Sequence, residues 1–218
     1  MLRVAIDGPG GTGKSTIAKE VAKLFDLEYI DTGAMYRAIA LKALKLGVPC
    51  EDEKAVAKML VTTEIDFKNS TIYLDGEDVS QKIRTNEISM GASNYSKIGC
   101  VREKVNQLNR FLASTKNVIM EGRDIGTNVI TDAEVKIFMT ASPVIRARRR
   151  LGQLQEQGKP ADYDEILEEI EKRDYQDSHR ELNPLKQADD AVFLDTSDMS
   201  FDENIQAVAD IINAKKFD

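Results

Sequence analysis

The residues best suited to chemistry lie near the start of the chain. Gly8-x-x-x-x-Gly13-Lys14-Ser15 is a complete phosphate-loop (Walker A) motif, filled here by Pro9, Gly10, Gly11 and Thr12 and followed by Thr16. The glycines allow a backbone path that turns several N–H groups inward around phosphate oxygens. A helix opening near Ser15 adds the positive end of its dipole. Lys14 is expected to reach the β- and γ-phosphates of a nucleotide, and the Ser15 hydroxyl to ligate Mg²⁺. A glycine-rich turn with an incidental lysine would match these four fixed positions in roughly one such chain in a hundred.

Two further strings could hold a second anion. Asp31-Thr32-Gly33-Ala34-Met35-Tyr36-Arg37 puts Arg37 one helical turn after a glycine that frees the turn. A guanidinium suits bidentate phosphate recognition better than an ammonium does. Glu121-Gly122-Arg123-Asp124 follows a second apolar run. Ligands of open α/β sheets sit outside the C-terminal ends of the strands, so both strings are expected to face one cleft. Taken singly, each also reads as a helix N-terminus or a surface salt bridge.

A third group is cationic. Arg146, Arg149 and Arg150 recur at i, i+3 and i+4, while Arg173, Asp177 and Arg180 recur at i, i+4 and i+7. Each set is expected to line one face of a helix. Solvated, salt-bridged faces are the ordinary fate of such charge runs. Beside a phosphate loop, however, a helical hairpin broken at Gly158-Lys159-Pro160 reads as a lid that excludes water and stabilises a moving phosphoryl group.

These groups need a scaffold, and the apolar pattern supplies one. Val4–Ile6, Glu28–Asp31, Val118–Met120, Val135–Met139 and Ala191–Leu194 read as strands. Helical spacing fills the chain between them. The alternation predicts an α/β fold with a parallel sheet of about five strands. Residues from about 62 to 92 differ: Ile65–Phe67 and Thr71–Leu74 read as short strands, with Asn69-Ser70 and Asp75-Gly76 as turns. A β-rich insertion is expected there. Ser200 with Glu203 forms a capping box for a last helix ending near Ala214.

Composition narrows the function classes. A chain of 218 residues with 42% hydrophobic and 31% charged residues fits one soluble domain. A net charge of −7 argues against binding nucleic acid through bulk electrostatics, so the clustered arginines point to a small polyanion. The single His179 rules against His-rich metal sites and Ser-His-Asp chemistry. Cys50 and Cys100 have no metal-ligand spacing, which fits a reduced, cytoplasmic protein. No apolar run is of membrane-spanning length, and Leu2–Ile6 reads as a strand rather than a leader. The Asn-Lys-x-Asp string of GTPases is absent. A small kinase, with an acceptor site beside the phosphate loop, remains.

The strings together resemble the bacterial cytidylate kinase family from end to end. The likeness rests on Ile6–Ser15, Asp31–Arg37, Gly76–Ser80 with Ile83-Arg84-Thr85, Glu121–Thr127, and Arg173-Asp174 with Asp177 and Arg180. It implies a single kinase domain over 1–218: a P-loop kinase core, a monophosphate-binding lobe at about 33–100 enlarged by the β-rich insertion, and a helical lid at about 150–185. It implies in-line phosphoryl transfer from ATP, with Mg²⁺, to CMP or dCMP. Lys14, Arg123 and Asp124 would be catalytic, and Arg149 would join residues 8–16 in binding ATP. Arg37, Arg123 and Arg180 would hold the monophosphate. Ser93, Arg102 and Asp124 would read cytosine, and Arg173 and Asp177 would contact the ribose. Thr32 stands where many relatives have Ser, so a small change in sugar or base contacts is expected. A monomer acting on small molecules, with no membrane or nucleic-acid partner, completes the expectation.

Overall fold

The computed structural model describes residues 1–68 and 71–216. Its main sheet has five parallel strands: β1 (Arg3–Asp7), β2 (Glu28–Asp31), β6 (Val118–Gly122), β7 (Val135–Thr140) and β8 (Val192–Asp195). Their order is β2-β6-β1-β7-β8. β1 and β7 run parallel in a register that pairs Val4 with Val135 and Asp7 with Phe138. Val4, Ala5, Ile6, Ile119, Met120 and Met139 are fully or almost fully buried. Continuous burial of this kind explains why these strands read as apolar runs rather than alternations. The sheet and the strand order match the expected α/β class.

The chain divides into two compact units, Met1–Leu27 with Ile119–Asp218, and Glu28–Val118. The first contains α1 (Lys14–Phe25), α6 (Pro143–Glu156), α7 (Tyr163–His179) and α8 (Phe201–Lys216). The capping box that opens α8 is present: the Ser200 amide donates to Glu203 Oε2 at 2.8 Å, and the Glu203 amide donates to Ser200 Oγ at 3.3 Å. α6 and α7 are joined through Gly158, which holds φ at 66°.

The second unit holds α2 (Thr32–Leu46), α3 (Glu53–Val61), α4 (Asn86–Tyr95) and α5 (Gly99–Thr115). It also carries a small antiparallel sheet of β3 (Ile65–Lys68), β4 (Thr71–Leu74) and β5 (Glu77–Asp78). Asp75 and Gly76 sit at φ 51° and 83°, the left-handed pair that a two-residue hairpin turn requires. The expected turn at Asn69-Ser70 lies outside the described residues. The insertion is less β-rich than its sequence implies, because residues 86–95 are helical. Thr85 starts α4 by accepting from the Ile88 amide, a cap hidden behind β-favouring neighbours. Among the described residues no helix is long and apolar enough to cross a membrane.

Candidate functional site

In the first unit the site begins where β1 ends. Gly8 follows Asp7 at φ 149°, and a Cβ placed on it would lie 1.9 Å from the Met139 carbonyl oxygen of the neighbouring strand. Only glycine fits so close a backbone approach. Gly11 and Gly13 also hold positive φ, at 79° and 93°. Gly13 occupies the N-cap of α1 without any side-chain cap, and the first turn contains no acidic residue. The leading N–H groups of α1 are therefore turned outward without an internal carboxylate to satisfy them, which is an anion cradle.

Lys14 is buried, and its Nζ donates to the Pro9 carbonyl at 2.5 Å and Thr12 Oγ1 at 3.3 Å. Burial, aided by the nearby Arg123 charge, pushes its pKa down to about 7, against the pull of Glu121 and Asp7. Arg123 and Arg173 both lean over Gly10: a Cβ there would lie 3.3 Å from Arg123 Nη2 and 4.0 Å from Arg173 Cζ. Three cations thus gather around one glycine loop, an arrangement that favours a polyphosphate ligand.

The turn after β6 faces α7 through two crossed ion pairs. Arg123 Nε donates to Asp177 Oδ2 at 2.7 Å, and Arg180 Nη2 donates to Asp124 Oδ1 at 2.9 Å. Asp124 Oδ2 also accepts from Asn128 Nδ2 at 3.2 Å. Burial alone would raise the Asp177 carboxyl, but the charges of Arg123, Arg173 and Arg180 and the Arg123 hydrogen bond hold it below its ordinary range. Arg180 is not on the helix face that its spacing implies. It follows the last helical residue in extended conformation, and its Nε donates to the Asn183 carbonyl at 2.7 Å.

The expected basic face of α6 also breaks up. Arg146 is buried, donating to the carbonyls of Ala141 at 2.8 Å and Gly10 at 3.0 Å, and pairing through both guanidinium amines with the Asp174 carboxylate. It braces the phosphate loop against α7, its guanidinium taken up by the Gly10 carbonyl and the Asp174 carboxylate. Arg149 donates to the Thr196 carbonyl at 2.6 Å and, more weakly, to the Thr12 carbonyl at 3.4 Å. Arg150 is exposed. Periodicity identifies a shared face but not the depth at which each residue on it sits.

The second unit holds the other expected residues. Asp31 caps α2 by accepting from the Ala34 amide at 2.9 Å, and its second oxygen accepts from Arg37 Nη2 at 2.7 Å. A Cβ at Gly33 would lie 3.1 Å from Arg37 Nη1, so the glycine admits the guanidinium to the helix N-terminus. Thr32 is buried beside it. Arg102, on the first turns of α5, is buried with its guanidinium 5.9 Å from the Tyr36 ring centre and Nη1 donating to the Ser96 carbonyl at 3.2 Å. Ser93 lies on the last turns of α4, its carbonyl accepting from Ser96 Oγ at 2.9 Å.

Sequence reasoning did not single out Asp7, Asp31 or Tyr36 as site residues. Asp31 carried a readable signal, an acidic residue three positions before a helical Ala34. Asp7 and Tyr36 carried none, since their partners are remote or on another element.

Known proteins resemble this chain over nearly its whole length. The cytidylate kinase family model matches residues 4–214. A cytidylate kinase of Lactobacillus johnsonii is 48% identical over 220 residues, which cover 99% of this chain and 96% of the relative. One from Caldicellulosiruptor bescii is 46% identical, with 96% and 95% covered. Among solved structures, TT1252 from Thermus thermophilus superposes with a TM-score of 0.53 at 14% identity, covering 98% of this chain and 97% of its own. Shikimate kinase from Bacteroides thetaiotaomicron gives 0.50 at 13%, with 97% and 98% covered. At such identities the two structures bear on the fold alone, whereas the family model and the full-length likeness of the sequence relatives show that the chain belongs to the cytidylate kinase family.

Proposed function

We propose that the protein transfers the γ-phosphoryl group of ATP to CMP or dCMP, giving ADP and CDP or dCDP. The observation that carries this reading is the family match over residues 4–214, which takes in the phosphate loop and every residue discussed below. The acceptor is already anionic, so no strong general base is required, and positioning with charge neutralisation carries the rate.

Residues 8–16 cradle the triphosphate, with Lys14 on the β- and γ-phosphates and Arg149 joining them. Mg²⁺ fits the donors available. Ser15 is exposed on the first turn of α1, and this hard cation takes few protein oxygens, drawing the rest from phosphate and water. When bound, it neutralises charge on the β- and γ-oxygens. Arg37, Arg123 and Arg180 hold the acceptor phosphate; Ser93, Arg102 and Asp124 read the base; Arg173 and Asp177 meet the ribose, with Thr32 nearby. The crossed pairs support this assignment, because they hold both guanidinium groups in place before any phosphate arrives. The helices around Gly158 act as the lid of a single kinase domain, whose acceptor lobe lies at about 33–100. Action as a cytoplasmic monomer on small molecules, without nucleic acid or membrane, belongs to the same reading.

A coupled ADP-release assay over CMP, dCMP, UMP, AMP and shikimate tests the reading. Turnover with CMP and dCMP well above the other acceptors is expected. Preference for UMP, AMP or shikimate overturns it.

A further inference from the structure

The residue just before the phosphate loop holds the turn that follows β6. Asp7 ends β1 and is only 5% exposed. Its Oδ1 accepts from the Ile125 amide at 2.8 Å and its Oδ2 from the Gly126 amide at 2.7 Å, across 118 and 119 positions of sequence. Those amides open a five-residue π-helical turn, Ile125–Val129. The first amides of a helical turn have no partner within it, and a side chain at the N-cap ordinarily supplies one.

The N-cap residue here is Asp124, and it makes no capping bond. Its carboxylate instead meets Arg180 and Asn128. Asp124 is free to do so because Asp7 performs the capping from another strand. Two amides side by side need two acceptor oxygens, which a carboxylate has and a carboxamide lacks. The fit is close: a Cβ on Gly126 would lie 3.4 Å from Asp7 Oδ2 and 3.1 Å from the Lys136 side chain.

We infer that Asp7 is a positioning residue for the acceptor: by capping the Ile125–Val129 turn in place of Asp124, it releases Asp124 and fixes Arg123 and Asp124 beside the phosphate loop. The inference rests on the reading of Arg123 and Asp124 as acceptor contacts. It assigns to one carboxylate the mechanical link between the loop that holds the donor and the turn that holds the acceptor.

Asp7→Asn tests it, with melting temperature and KM measured for each substrate. Loss of a hydrogen bond involving a charged group predicts a fall in kcat/KM for CMP of roughly tenfold to a hundredfold. The KM for CMP should rise while that for ATP stays within about twofold, and the CMP to UMP ratio should shrink. A folded variant with an unchanged KM for CMP, or with both KM values rising equally, overturns the inference. If D7N does not fold, Asp7→Glu, which keeps the charge and moves it by one methylene, is read in the same way. Failure of both variants to fold marks the carboxylate as a prop for the sheet and also overturns it. Should the wild type prefer another acceptor, the functional reading fails by itself, and D7N scored on that acceptor still decides the role of Asp7.

Discussion

Arg123 and Asp177 are 54 residues apart in sequence and 2.7 Å apart in space, joined through Nε and Oδ2. With Nη1 donating to the Gly122 carbonyl at 3.3 Å, the bond fixes the plane of the guanidinium and sets Nη2 beside Gly10 of the phosphate loop. Asp177→Asn should therefore raise the KM for CMP by roughly tenfold or more, since a hydrogen bond to a charged group is worth about 1.5–3 kcal/mol. The pair also has a pH signature. The Asp177 carboxyl is held below its ordinary value, so its contribution to stability is full above that ordinary value and is lost as pH falls through the lowered one. Acid unfolding of the wild type and D177N should converge at low pH, and parallel curves throughout would contradict the linkage.

Lys14→Ala should cut turnover by roughly 10²–10³ without unfolding the protein, as expected for a lost electrostatic contact to the transferring group. Turnover within tenfold of wild type would rule out that role. Its pKa of about 7 in the nucleotide-free protein adds a second readout. A bound triphosphate favours the ammonium, so binding at pH 8 should take up a proton, and affinity should fall as pH rises above about 7. Calorimetry in buffers of different ionisation enthalpy measures that uptake. The sign for stability is opposite: between about 7 and the ordinary lysine value the unfolded chain binds more protons, so the free protein gains stability as pH rises.

Base choice should respond to Asp124. Cytosine presents an amino donor where uracil presents an acceptor, and buried polar groups left opposed are costly. Asp124→Ala should lower catalytic efficiency with CMP more than with UMP. A variant that keeps the wild-type ratio would remove Asp124 from base reading.

Nucleotide binding should slow hydrogen exchange between about 150 and 185, the α6–α7 hairpin around Gly158. Exchange there unchanged with an ATP analogue and CMP both bound would argue against a closing lid.

Asn109 makes a prediction about stability alone. It is 1% exposed on α5, and neither polar side-chain atom meets a hydrogen-bond partner among the described residues. Asn109→Leu should stabilise the protein by about 1–3 kcal/mol in chemical denaturation, the range for relieving an unsatisfied buried group. A loss of stability would mean that the amide is satisfied by solvent.

What the sequence made legible follows from how local each signal is. The phosphate loop was readable because its code is short: glycines at fixed spacing, then a lysine and a serine between a strand and a helix. The central strands β1, β6 and β7 were readable because burial on both faces leaves apolar runs. Asp7 was not, since it acts on amides more than a hundred residues away. Arg146 was read as one of three arginines on a shared lid face, because helical period says which residues align and not what they meet. α4 was hidden for a similar reason: Thr85 caps it, but the strands before it set the apparent character of the segment.

The crossed pairing also matches each of Arg123 and Arg180 with one carboxylate, Asp177 and Asp124, before any anion arrives. Capture of a dianion there adds phosphate oxygens to guanidinium groups that carboxylates already partly neutralise. Salt screens the internal pairs and the incoming ligand alike. Affinity for a monophosphate should accordingly depend on ionic strength much less steeply than two arginines in open water would dictate.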